Sequence, residues 1–244
     1  MMRARVVAVL LAVAASVAVV PARAISTAHI QPGAPLLMNP TAFPDNTSPY
    51  TFRRCTLGFV FTDPAGALYV ITAGHCLGLG AKAYDESREE FGTVVYHLES
   101  GTDDVSLIAI EDAKRAQVDP SVRTWGGPTA VAPPSAEHEG DEVLFTGFSF
   151  GLGDVAATSA RNGVLVADDD VHYMADTSAS EGDSGAPIID ASTGAAIGIV
   201  RDFGLNDDPP VTDDGPTVAR IRSLFAAAGF QLSLATAAYQ PPPV

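Results

Sequence analysis

Positive charge is scarce in this sequence. Lysine and arginine number 14 against 29 acidic residues, a formal charge of −15, and no basic cluster is longer than a pair. A surface of that sign is a poor partner for nucleic acid or anionic membrane. Charged residues reach only 18%, whereas glycine (22) and proline (18) are plentiful, which argues against a coiled coil or a helical repeat. Cysteine is nearly missing, with Cys55 and Cys76 alone, so neither a disulfide-rich miniprotein nor a multi-cysteine metal cluster fits. An apolar share of 47% over 244 residues still supplies one large domain or two small ones with a buried core.

The first 24 residues read as an export signal. Arg3 and Arg5 form a positive start, residues 6–20 are apolar, and Ala22-Arg23-Ala24 offers small residues for cleavage. The run is short for a membrane span and ends at Pro21, which favours a cleaved signal over a retained anchor. Cleavage before Ile25 leaves 11 basic against 29 acidic residues, or −18. A secreted, strongly acidic protein with no membrane attachment after cleavage is expected. In an oxidising compartment Cys55 and Cys76 pair as a disulfide, closing a loop of about 20 residues worth roughly 3 kcal/mol.

Residues 25–49 are proline-rich without periodicity and read as an N-terminal arm or short pro-segment. Beyond them, short β-branched and aromatic runs alternate with turn residues. Strands are expected within 56–62, 67–72, 92–97, 105–110, 142–146, 163–166, 172–174, 186–189 and 196–200. That pattern predicts an all-β sandwich or barrel. A Gly/Pro-rich linker at 126–135 divides it into units of 50–128 and 129–232. Apolar residues at helical spacing, Val218, Ile221, Leu224, Phe225 and Ala228, followed by Gly229, predict one helix near the end of the second unit. Residues 233–244 read as a tail.

Two segments stand out chemically: Thr72-Ala73-Gly74-His75-Cys76 at a strand end, and Glu181-Gly182-Asp183-Ser184-Gly185-Ala186-Pro187 before another strand. A serine hydroxyl is a weak nucleophile at neutral pH. It needs an imidazole to take its proton and a buried carboxylate to fix that imidazole's tautomer. Glycines around Ser184 let the chain turn tightly and bare the amides of Gly182 and Ser184 to a developing oxyanion. The carboxylate comes from Thr102-Asp103-Asp104-Val105. Asp104 directly precedes the strand and is favoured, which leaves Asp103 facing solvent.

In order and in wording, these three motifs resemble the trypsin/chymotrypsin-like serine proteases, in the compact bacterial secreted style. Members carry TA(A/G)HC, then D(I/V)xLI, then GDSG(G/S/A)P. The resemblance runs from about residue 54 to 229. It implies two packed six-stranded antiparallel β-barrels with a short C-terminal helix, a cleft between them, and a triad of His75, Asp104 and Ser184. It also implies an oxyanion hole at the Gly182 and Ser184 amides, and a secreted serine endopeptidase acting on polypeptides through an acyl-enzyme. The α/β-hydrolase alternative fails, because Ala186 replaces the second glycine of its motif and the residue order is reversed.

The resemblance also marks departures. Ser178 stands where an aspartate would select Lys or Arg, so a neutral pocket is expected. Arg201-Asp202-Phe203-Gly204 replaces the Ser-Trp-Gly strand that pairs with substrate. Arg201 then lies either near the catalytic carboxylate or at a solvated strand end, the latter favoured. Asp183 needs a cation, either the α-amino group of Ile25 or an internal arginine, with Arg161 favoured. No cofactor or metal is called for: His29, His97, His138 and His172 lack ligand spacing, and the acidic runs 168–170 and 206–208 lack a calcium-loop pattern. Trp125 is expected at the barrel junction, and nothing encodes assembly, so a monomer is expected. The competing readings are a catalytically silent or latent binding protein on the same fold, and a secreted esterase.

Overall fold

A computed structural model of the chain describes residues 28–38, 54–133, 139–150, 156–204 and 212–242. The expected signal segment, the acidic run 206–208 and His138 lie outside them. The first sheet holds β1 (Pro35–Leu37), β2 (Arg54–Thr56), β3 (Val60–Thr62), β4 (Leu68–Thr72), β5 (Lys82–Tyr84), β6 (Glu90–Ser100), β7 (Asp103–Ile110) and β15 (Ser233–Leu234). The second holds β8 (Glu142–Phe150), β9 (Ala156–Asp168), β10 (His172–Asp176), β11 (Pro187–Asp190), β12 (Ala196–Ile199), β13 (Asp202–Gly204) and β14 (Thr212–Pro216). Helix α1 (Val218–Ala227) precedes β15. Among the described residues no helix is long and apolar enough to cross a membrane.

Both sheets are antiparallel and curl into barrels, in the orders β15-β3-β4-β7-β6-β5-β1-β2 and β12-β11-β8-β9-β10-β14-β13. The fold is therefore the chymotrypsin-like all-β architecture expected, with additions to six strands per barrel. The first sheet gains β1 from the stretch read as an irregular arm, and β15 from the stretch read as a tail. Neither stretch shows a two-residue alternation because both faces of β1 are buried and β15 is only two residues long. The tail also docks through Gln240 N–H to the Trp125 carbonyl (2.8 Å). The second sheet gains β13 at its edge.

The period of two is visible in what the strands bury. Along β4, Val70 enters the core inside the first barrel while Ile71 enters the core between the sheets. Along β7, Ile108 and Ile110 face the former and Val105 and Leu107 the latter. On the second sheet Phe145 and Ile188 point into the second barrel, Leu144 and Ile189 into the shared core. Trp125 packs at that shared core, with its indole N–H donating to the Phe145 carbonyl (3.1 Å), which is the junction position expected. Helix α1 closes the same core with Val218, Ile221 and Phe225, each worth about 1.5–3 kcal/mol of burial. Its start is fixed by the Thr217 side chain, which accepts from Arg220 N–H. Phe225 meets Phe61 and Tyr96 edge to face at 6.1 and 5.3 Å, so the helix that follows the second sheet packs on the first.

Candidate active site

A cleft of about 500 Å³ is lined by His75, Asp104 and the hairpin end Glu99–Gly101 from the first sheet, and by Glu181, Ser184, Arg201 and Asp202 from the second. His75 sits just past the end of β4, in a tight 3-10 turn, Gly74–Cys76. That turn is held from several sides. The Cys55–Cys76 disulfide, expected from the sequence, ties it to β2. The Thr72 hydroxyl donates to the Thr56 carbonyl (2.9 Å). Leu77 N–H closes it on the Gly74 carbonyl (3.2 Å). Gly74 is required by crowding: a Cβ there would stand 2.2 Å from the Leu98 carbonyl oxygen and 2.6 Å from an Asp104 oxygen.

Asp104 is 1% exposed and spends both oxygens on one residue. Oδ1 accepts the His75 backbone N–H (2.8 Å) and Oδ2 accepts Nδ1 (2.6 Å). An acceptor-only carboxylate places the ring proton on Nδ1, which leaves Nε2 as the basic nitrogen. The hydrogen bond to Asp104 raises the His75 pKa above the ordinary imidazole range against the opposing effect of burial, and the charges of Asp104, Glu99 and Asp202 add to it. His75, Cys55 and Cys76 also lie within 4.8 Å of one another, but the disulfide consumes both sulfurs and leaves no thiolate for a metal.

Ser184 is carried by the turn before β11, and Thr56 of β2 grips that turn from the other sheet. Thr56 N–H donates to the Ser184 carbonyl (2.8 Å), and its hydroxyl donates to the Gly182 carbonyl (2.8 Å) while accepting Phe148 N–H (3.0 Å). Gly182 adopts φ 104°, where a side chain would be strained and would meet the Phe148 carbonyl oxygen at 2.5 Å. Among the described residues neither the Gly182 nor the Ser184 amide donates to a backbone carbonyl. Asp183 is fully buried; its Oδ1 meets Arg161 Nη2 at 2.6 Å and its Oδ2 accepts Ser180 N–H (2.9 Å). Arg161 is stacked over the Phe145 ring at 4.3 Å and donates through Nη1 to the Ser178 carbonyl (2.9 Å). The cation beside Asp183 is thus Arg161, the favoured candidate; Ile25 lies outside the described residues.

Ser178 does not line this cleft. It is exposed, at φ 58°, and its neighbours Thr177 and Ala179 donate their amides to the buried Asp213 carboxylate (3.2 Å each). Burial, with the charge of Asp183, pushes the Asp213 carboxyl up to about 7. Arg201 does line the cleft and is not a solvated strand end. Its Nε and Nη2 pair with both oxygens of Asp214 (2.8 and 2.5 Å), and Nη1 donates to the Gly101 carbonyl (2.8 Å). Asp103 is turned from solvent toward α1, in a two-point pair with Arg220 (2.9 and 2.7 Å). Sequence reasoning missed Thr56, Asp213, Asp214 and Arg220. Their partners lie 34 to 128 residues away along the chain, except that Thr56 and Thr72 are 16 apart and Arg201 and Asp214 are 13 apart, and no local spacing marks any of these pairs.

The trypsin-like peptidase domain family matches residues 56–199. Among solved structures, protease A of Thermobifida fusca is similar over 85% of this chain and 100% of its own, at 18% identity and a TM-score of 0.55. A Nocardiopsis protease covers 83% and 98%, at 16% identity and 0.56. A glutamic acid-specific serine protease, described as using a histidine triad in substrate binding, covers 86% and 100%, at 16% identity and 0.56. At these identities the likeness is one of fold. Curated protein sequences yield no match.

Proposed function

The chain belongs to the trypsin-like peptidase family, and from that premise we propose that it is a secreted serine endopeptidase with His75, Asp104 and Ser184 as its triad. The observation that carries the reading is the 2.6 Å His75–Asp104 bond in the same cleft as Ser184. Nε2 of His75 takes the Ser184 hydroxyl proton as Oγ attacks the peptide carbonyl, and the Gly182 and Ser184 amides stabilise the oxyanion. The imidazolium, held by Asp104, gives its proton to the leaving amine. Water activated by the same imidazole then hydrolyses the ester. The pairing of Arg161 with the buried Asp183 keeps the oxyanion turn in shape without a newly cut N-terminus.

Strand β13 pairs with β14 and with no other described strand, and it begins at Asp202 in the cleft wall. A strand at the end of the described sheet, beside the cleft, suits a polypeptide substrate added as a further strand. Secretion follows from residues 1–24, and the disulfide fits an oxidising compartment. One observation favours the latent or binding alternative: the Arg201 guanidinium reaches from Asp214 to Gly101 within the cleft.

Fluorophosphonate labelling of the purified protein beside Ser184→Ala, with mass spectrometry of the modified peptide, separates these readings. Stoichiometric labelling at Ser184, absent from the variant, is the expected result. A folded protein that stays unlabelled removes the catalytic reading. Comparing peptide with ester turnover then separates a peptidase from an esterase.

A further inference from the structure

His75 and Asp104 belong to the first sheet and Ser184 to the second, so proton transfer between them depends on the register of the two sheets. A misplacement of about 1 Å at such a centre costs about 10²-fold in rate. Thr56 fixes the Ser184 turn. The turn between β6 and β7 leads directly into Asp104, the second residue of β7.

That turn is gripped twice from beyond β12. Arg201 donates through Nη1 to the Gly101 carbonyl (2.8 Å), while Asp214 of β14 holds its Nε and Nη2 and sets the plane of the guanidinium. Arg220, the third residue of α1, forks onto both oxygens of Asp103 at 2.9 and 2.7 Å. Both landing points lie within three residues of Asp104. Each arginine is itself held, Arg201 N–H by the Asp214 carbonyl (2.7 Å) and Arg220 N–H by the Thr217 hydroxyl (3.1 Å). A forked pair fixes orientation as well as distance. The Arg220 and Asp103 side chains are 35% and 17% exposed, so solvent screens part of their attraction while the two-point geometry is kept.

We propose that Arg201 and Arg220 are positioning residues, a two-point clamp that keeps the β6–β7 turn, and with it the Asp104–His75 pair, in register with Ser184. The inference rests on the serine-peptidase reading of the same cleft. The two arginines differ in one respect. Arg201 lines the cleft and Arg220 does not, so loss of Arg201 disturbs substrate binding as well as proton transfer, whereas loss of Arg220 disturbs proton transfer alone.

The test uses the full chain and three readouts: fluorophosphonate labelling rate at Ser184, kcat and KM on a peptide ester, and melting temperature. Arg220→Gln and Asp103→Asn are each expected to slow labelling and lower kcat by about 10- to 100-fold. KM should stay within about twofold, and the two changes together should cost no more than either alone. Arg220→Lys should recover part of the rate, and the exchange Asp103→Arg with Arg220→Asp should recover more than either of its halves. Arg201→Gln should lower kcat and raise KM. Folded variants that label at the wild-type rate overturn the clamp. So does loss of folding in every variant, which would make both bridges purely structural. A wild type that does not label removes the peptidase reading and the clamp with it; a wild type that labels beside unaffected variants removes the clamp alone.

Discussion

In the proposed mechanism His75 acts as a base only while its imidazole is neutral, and the bond to Asp104 stabilises the charged form. On that mechanism its raised pKa is expected to place the acid limb of the pH–rate profile above the ordinary imidazole value of about 6.5. Asp104→Asn removes the acceptor charge and leaves an amide that can hold the wrong tautomer. The expected result is a limb displaced to lower pH and a fall in kcat approaching about 10⁴-fold, as for amidation of a triad carboxylate. A pH–rate series on wild type and variant measures both effects, and a limb that stays in place would show that Asp104 does not set the His75 pKa. The burial of Asp104 was legible in the sequence because it depends on near neighbours: a carboxylate at the mouth of an apolar strand is buried by that strand. Asp103, one residue earlier, was not legible, because its orientation is decided by Arg220, 117 residues away.

Elements with a clear period were legible for the same reason. Strand β7 alternates between two cores, and α1 presents Val218, Ile221 and Phe225 on one face. Strand β14 was not, since Thr-Asp-Asp-Gly-Pro has the composition of a turn. It becomes a strand because distant groups satisfy its acids: the amides of Thr177 and Ala179 take Asp213, and Arg201 takes Asp214. The start of α1 is the corresponding weak point among the helical contacts. The Thr217 hydroxyl caps Arg220 N–H and donates to the Asp170 carbonyl (3.1 Å). Thr217→Ala is expected to cost about 1 kcal/mol and to lower the melting temperature by about 2–4 °C. Thr217→Ser keeps the hydroxyl and should restore most of the loss. The first turn of α1 also carries Arg220, so the alanine variant should slow Ser184 labelling by more than so small a loss of stability accounts for.

At the scale of the whole molecule, Asp213 and His75 both carry a higher pKa in the folded than in the unfolded chain and act in the same direction, as does Asp168, which burial and the neighbouring Asp169 push up to about 6. The Asp213 carboxyl rises from the ordinary 3.8 to about 7 on folding. Its contribution to stability is full below the unfolded value and is lost as pH climbs through the folded one, on the order of a few kcal/mol across that span. His75, also raised, contributes fully below the imidazole value and loses its contribution as pH passes its folded pKa. The formal charge of −15 adds self-repulsion as the remaining carboxylates ionise. Thermal unfolding followed from pH 5 to 8 is therefore expected to show a falling melting temperature, and Asp213→Asn to flatten that slope. The slope is the diagnostic quantity, because the amide also loses one of the two acceptor oxygens that hold Thr177 and Ala179. An unchanged slope in the variant would assign the pH dependence to His75, Asp168 and general repulsion instead. Catalysis in the proposed mechanism follows the opposite trend, since turnover requires His75 to lose the proton that helps stabilise the fold. The pH of longest thermal half-life should accordingly lie below the pH of fastest turnover, and parallel inactivation and rate profiles on one preparation measure that separation directly.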